Sequence, residues 1–139
     1  MKKIIPLIAL FFIFNSCSTD NGDNYLFELL PTESVDIPSE FTMGNTYPIT
    51  IHYKRPTTCH YFNTIYYKKG NGSESNVRTI AVEDAVAQRN NCQELTNEMA
   101  TYTFNFLVTG NGSYIFKFWQ GKDTDGNNIY LEFEVPVTN

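Results

Sequence analysis

Apolar and polar residues alternate along most of this chain, and a period of two is the signature of half-buried β-strands. In "NTYPITIHYKRP", Tyr47, Ile49, Ile51 and Tyr53 face one way, and Pro48, Thr50, His52 and Lys54 the other. Pro48 marks an edge position or a bulge, because proline donates nothing to a ladder. "ATYTFNFLV" puts Tyr102, Phe104, Phe106 and Val108 on one face. "SYIFKFWQ" does the same with Tyr114, Phe116 and Phe118, and "IYLEFEVPV" with Ile129, Leu131, Phe133, Val135 and Val137. Upstream, short strands are expected at Tyr25–Leu30 and Val35–Ile37, separated and ended by Pro31 and Pro38. "CHYFNTIYYKK" carries aromatics on both faces, so its inward side cannot be set by parity. "NVRTIAV" turns Ile80 and Val82 inward. The polar region Glu83–Glu98 suits either a long loop or a short helix.

The start of the chain has a different pattern. Lys2 and Lys3 precede the apolar run "IIPLIALFFIF", and Asn15 and Ser16 lead to Cys17. A spanning helix needs about 20 apolar residues, so this run is too short. A positive start, a short apolar core and a small final residue describe a secretory signal peptide over residues 1–16. Ser16-Cys17-Ser18 would serve ordinary cleavage and remove Cys17. Phe14-Asn15-Ser16-Cys17 also resembles the lipobox of bacterial lipoproteins, in the looser form of Bacteroidota-type bacteria. The commoner pattern has Leu and then Ala or Ser where this chain has Phe14 and Asn15. The resemblance implies cleavage before Cys17, a diacylglycerol on its sulfur and an acylated amino terminus. Each buried CH₂ contributes about 0.8 kcal/mol, and stable anchoring takes more than one chain, which a triacylated cysteine supplies. Residues 17–24, with "STDNGDN" after the cysteine, read as a flexible tether, and 25–139 as one domain. The place this implies is the cell envelope, on a lipid anchor in the outer membrane.

Charge narrows the partners. Of ten Lys and Arg, Lys2 and Lys3 leave with the leader, so eight face fifteen Asp and Glu and the net charge is −7. That excludes the basic footprint of nucleic-acid recognition and electrostatic docking on anionic lipid. Membrane contact is left to acyl chains on Cys17. The remaining cysteines, Cys59 and Cys92, are expected to form a disulfide in an oxidising compartment. The alternative, a thiol activated by His60, requires adjacent strand residues to share a face, which they do not.

Seven or eight short strands with no strong helix point to an antiparallel β-sandwich. "GNTYPITIHY" and "VTGNGSYIFKFWQGKDTDGNNIYLEFEV" resemble immunoglobulin-like and fibronectin-III-like domains of bacterial surface proteins. There a Gly-rich turn precedes a strand starting with a buried Tyr, here Tyr114. The chain departs from true immunoglobulin domains in its late Trp119 and in the short spacing of its cysteines. The resemblance implies the fold and leaves the ligand open.

If Phe118 pairs with Leu131, Trp119 stands opposite Tyr130 and Lys117 opposite Glu132, outside the core. Such aromatic and opposite-charge pairs contribute roughly 0.2–1 kcal/mol each. Tyr66 or Tyr67 of a neighbouring strand would extend an aromatic patch of the kind that grips carbohydrate or protein. The plainer reading is that Trp119 stiffens the hairpin or packs under a loop. Asp123-Thr124-Asp125-Gly126-Asn127 suggests a calcium loop, but strands flank it and Asp-Gly-Asn is an ordinary hairpin turn. Glu132 and Glu134 share a face about 7 Å apart, compatible with a glycosidase pair and equally with a solvated strand. His52 and His60 are too few for a metal site. No cofactor is expected. These features fit a non-enzymatic binding module for an envelope protein or glycan. The alternatives are a structural subunit or spacer of an envelope assembly and a hydrolase using the paired glutamates.

Overall fold

The structure is a computed structural model, and it describes residues 24–138. Cys17 and the leader lie outside the described residues. Ten strands form: β1 (Tyr25–Leu30), β2 (Thr32–Asp36), β3 (Phe41–Thr42), β4 (Thr46–Lys54), β5 (His60–Lys69), β6 (Val77–Ala87), β7 (Met99–Leu107), β8 (Tyr114–Lys122), β9 (Asn128–Val135) and β10 (Val137–Thr138). Sheet A joins β5, β6, β8 and β9, with β1 also on β6. Sheet B is β2-β4-β7, and β3 pairs with β10. The two sheets face each other as an all-β, immunoglobulin-like sandwich.

Prolines route the chain between layers. Pro31 lies between β1 in sheet A and β2 in sheet B, where its missing N–H and fixed φ end one ladder before the next begins. Pro136 does the same between β9 and β10, and its carbonyl accepts the amide of Phe41 at 2.9 Å. Pro48 sits in the middle strand of sheet B, yet β2 reaches only Thr50. One side of β4 is therefore open at Pro48, which has the edge position its chemistry requires.

The core is aromatic. Phe41, Phe106, Tyr114, Phe116 and Phe118 are buried, as are Ile49, Ile51, Tyr53, Ile80 and Val82. The Phe106 ring centroid lies 5.1 Å from Phe116 and 4.9 Å from Tyr114, both edge-to-face, the geometry ring quadrupoles favour. At one end the Arg78 guanidinium sits 5.0 Å from the Tyr114 ring centroid and donates to the carbonyls of Ser75 and Val77. The Tyr114 hydroxyl accepts the amides of Thr109 and Gly110, at 3.2 and 2.8 Å, in a tyrosine corner. Burial raises the affinity of this hydroxyl for its proton, but those hydrogen bonds and the Arg78 charge outweigh it and hold the pKa below the ordinary value. Tyr47 repeats the device on the turn at Gly44, accepting the amide of Thr42 at 2.8 Å.

Four features differ from the sequence reading. The strand expected to end near Val82 runs to Ala87, so the polar region holds no helix: it is strand to Ala87 and loop beyond. The ten strands exceed the seven or eight expected because the two-residue strands β3 and β10 add to them. Two pairings are parallel, β6 with β8 and β3 with β10. β5 therefore holds the edge of sheet A and β6 its interior. Ile129, expected inward, is exposed beyond a bulge between Trp119 and Gly121.

Candidate functional site

The β8–β9 register is the expected one: Phe118 opposite Leu131, Trp119 opposite Tyr130, Lys117 opposite Glu132. Phe116 and Phe118 are fully buried, so the alternate residues Lys117 and Trp119 stand on the outer face of sheet A. The Lys117 ammonium is 3.0 Å from Glu132. Trp119 is half-buried, and its indole N–H donates to Asn128 Oδ1 at 3.0 Å, which fixes the plane of the ring.

The neighbouring strands complete the face. β6 turns Ile80 and Val82 into the core and so turns Thr79, Ala81, Glu83 and Ala85 out. β5 places Tyr66 opposite Ala81, Lys68 opposite Thr79 and Tyr61 opposite Ala85. β1 places Leu29 opposite Glu83 and Phe27 opposite Ala85. Tyr66, Trp119 and Tyr130, together with Leu29, Lys68, Thr79, Ala81 and Asn128, line a shallow depression of about 350 Å³. Small-molecule sites occupy roughly 300–1,000 Å³.

Tyr67 does not belong to this patch. It pairs with Ile80 and shares its inward face. Its ring meets Phe104 of sheet B edge-to-face at 6.4 Å, and burial raises its pKa while Arg78 opposes the rise. Parity could not choose between adjacent Tyr66 and Tyr67. The choice is made by which neighbour on β6 faces the core.

The other constellations resolve structurally. Cys59 and Cys92 are joined in a disulfide, Cα to Cα 5.4 Å. It ties the 88–98 loop to the start of β5, helped by Thr58 N–H to Gln93 O. Asp123 Oδ1 accepts the amides of Asp125 and Asn127, and these bonds hold its carboxyl below the usual range. The segment is a hairpin turn, with Gly126 at φ +85°. Glu132 and Glu134 are both exposed. His52 lies 2.8 Å from Asp36. Among the described residues no group of three or more His, Cys, Asp or Glu is placed to hold a metal.

A larger depression of about 510 Å³ lies around Gly110–Tyr114 and Arg78. Its one buried cation is already committed to two carbonyls and two rings. Between the sheets, Asp84 is fully buried with His60 nearly so. The His60 ring nitrogens lie 2.8 Å from Thr57 Oγ1 and 3.2 Å from Glu28 Oε2. Neither Asp84 oxygen meets a hydrogen-bond donor among the described residues.

Sequence reading missed Leu29, Lys68, Thr79, Ala81 and Asn128. The signal for Leu29 was present, since "YLFELL" is apolar on both faces and a half-buried strand needs only one. The contribution of β6 depends on its parallel pairing with β8, which no local pattern encodes. In comparison with known proteins, the chain matches no family model, no curated protein and no solved structure.

Proposed function

We propose that this protein is a lipid-anchored cell-envelope protein, held to the outer membrane through Cys17, whose sandwich acts as a non-enzymatic binding module. The observation that carries the binding role is the convergence of Tyr66, Trp119 and Tyr130, from three different strands, around one depression outside the core. Tyr66 is 49% exposed, so its ring is not needed to close the interior. Glu132, one of the two glutamates a hydrolase reading would use, is ion-paired with Lys117. The anchor rests on the sequence of the leader. On this reading residues 17–24 are the tether, and the domain starts with β1 at Tyr25.

The test has two arms. Intact mass of the membrane-extracted protein reports acylation of Cys17, and Cys17→Ser should move the protein from the membrane to the soluble fraction. Tyr66→Ala and Trp119→Ala should reduce retention on immobilised envelope glycan or protein fractions while leaving Tm nearly unchanged. Undiminished retention by both variants contradicts the binding role.

A further inference from the structure

The depression is one end of a longer feature. Along β6 the outward residues are Thr79, Ala81, Glu83 and Ala85, mostly small. On one side stand Tyr66 and Tyr61 of β5, and on the other Trp119 of β8 and Leu29 and Phe27 of β1. Large side chains flanking small ones make a groove along the strand. From Thr79 to Ala85 it runs six residues, about 20 Å. Its walls are solvent-facing: Phe27 is 64% exposed and Tyr61 44%. Two aromatic rows cross it, Tyr66–Ala81–Trp119 and Tyr61–Ala85–Phe27, four residues of β6 or about 13 Å apart. Between the rows lies a polar step, where Asn63 donates to Glu83 at 2.8 Å.

We propose that this groove binds a linear oligosaccharide lying along β6, with an acidic sugar at the Lys68 end. The proposal rests on the binding-module reading and names its ligand class. A peptide strand would need backbone partners, and β6 has none to offer. Its edges are filled by β5 over residues 78–86 on one side, and by β8 and β1 on the other. Strand addition is therefore closed on this face. A sugar needs only ring-sized apolar platforms and polar edges. The rows supply the platforms, and Thr79, Asn128, Asn63 and Glu83 supply the edges. Charge selects the end group. Lys117 is neutralised by Glu132, whereas Lys68 makes no ion pair among the described residues and lines the depression. An unpaired cation beside exposed aromatics complements a carboxylate locally.

Trp119 is the only tryptophan, so its emission reports the depression alone. The full-length protein in detergent is titrated with hyaluronan and alginate hexasaccharides, the corresponding disaccharides, and neutral cellohexaose. An acidic hexasaccharide should shift or quench the emission saturably, at least tenfold tighter than its disaccharide. Phe27→Ala and Tyr61→Ala should weaken the hexasaccharide at least fivefold and leave the disaccharide unchanged. Lys68→Gln should reduce its affinity to that of cellohexaose. Equal binding of long and short sugars, or indifference to Phe27→Ala, overturns the extended groove. No response to any sugar overturns the oligosaccharide assignment. If Trp119 then responds to an envelope protein fraction, the module reading stands without it. If it responds to neither, both fall.

Discussion

Asp84→Asn should stabilise this protein, and it should do so more as the pH rises. Asp84 is on the inward face of β6, between Glu28 of β1 and Phe62 of β5. It is fully buried and its carboxylate oxygens have no donor. Burial pushes its pKa up. The nearby charges of His60 and Arg55 oppose that, and Glu28 adds to it. A raised pKa means the folded state holds the proton more tightly than the unfolded chain, whose value is about 3.9. The contribution of Asp84 to stability is thus fully present below about pH 4 and is lost as pH rises through the folded value. At pH 7 the wild type bears the cost of an unpaired buried acid, which exceeds the roughly 1–3 kcal/mol typical of a neutral polar group. A neutral amide of nearly the same shape falls within that range. The net gain should be about 1–2 kcal/mol at pH 7, or about 4–8 °C in Tm for a domain of this size. Thermal melts of wild type and Asp84→Asn from pH 3 to pH 8 should converge at the acid end and separate toward neutrality. A less stable variant at pH 7, or a difference that ignores pH, would refute the reasoning and show Asp84 ionised and paired.

Four further outcomes follow from named contacts. Replacing Cys59 and Cys92 together by Ala should cost roughly 2–4 kcal/mol in denaturant unfolding, since the loop of about 34 residues is worth about 3.8 kcal/mol before strain. Tyr114→Phe removes the acceptor for two backbone amides and should lower stability by about 1–2 kcal/mol. Trp119→Ala should change stability by no more than about 1 kcal/mol, the scale of its cross-strand pair. Phenolate absorbance should show one tyrosine, Tyr53, titrating last, because burial with the added field of Asp84 pushes its pKa up to about 12; its disappearance from the late phase in Tyr53→Phe checks the assignment.

Legibility in the sequence followed locality. The β8–β9 hairpin could be read from Lys117 to Trp119 and across to Tyr130–Glu132, because alternation fixed its faces there, while the bulge beyond Trp119 that exposes Ile129 left no local signal. Trp119 and Tyr130 could be paired for the same reason. Ile49, Ile51 and Tyr53 were equally plain. The extension of β6 was hidden because Glu83 and Asp84 are adjacent and charged, which reads as loop. In the fold Glu83 meets Asn63 outside, and Asp84 is enclosed among His60, Arg55 and Glu28. Tyr66 and Tyr67 were inseparable because both faces of β5 are aromatic, one stacking across to sheet B through Phe62 on Tyr102 and the other left exposed. The groove requires β1, β5, β6 and β8 side by side, a long-range arrangement with a parallel pair at its centre.

The most direct test of the account is where a bound oligosaccharide touches the domain. Backbone amide shifts recorded during titration with an acidic hexasaccharide should change along Tyr66, Ala81, Trp119 and Tyr130 and continue to Phe27 and Tyr61, with sheet B silent. Shifts centred on Gly110–Tyr114 and Arg78, or on β2, β4 and β7, would place the ligand elsewhere and contradict it.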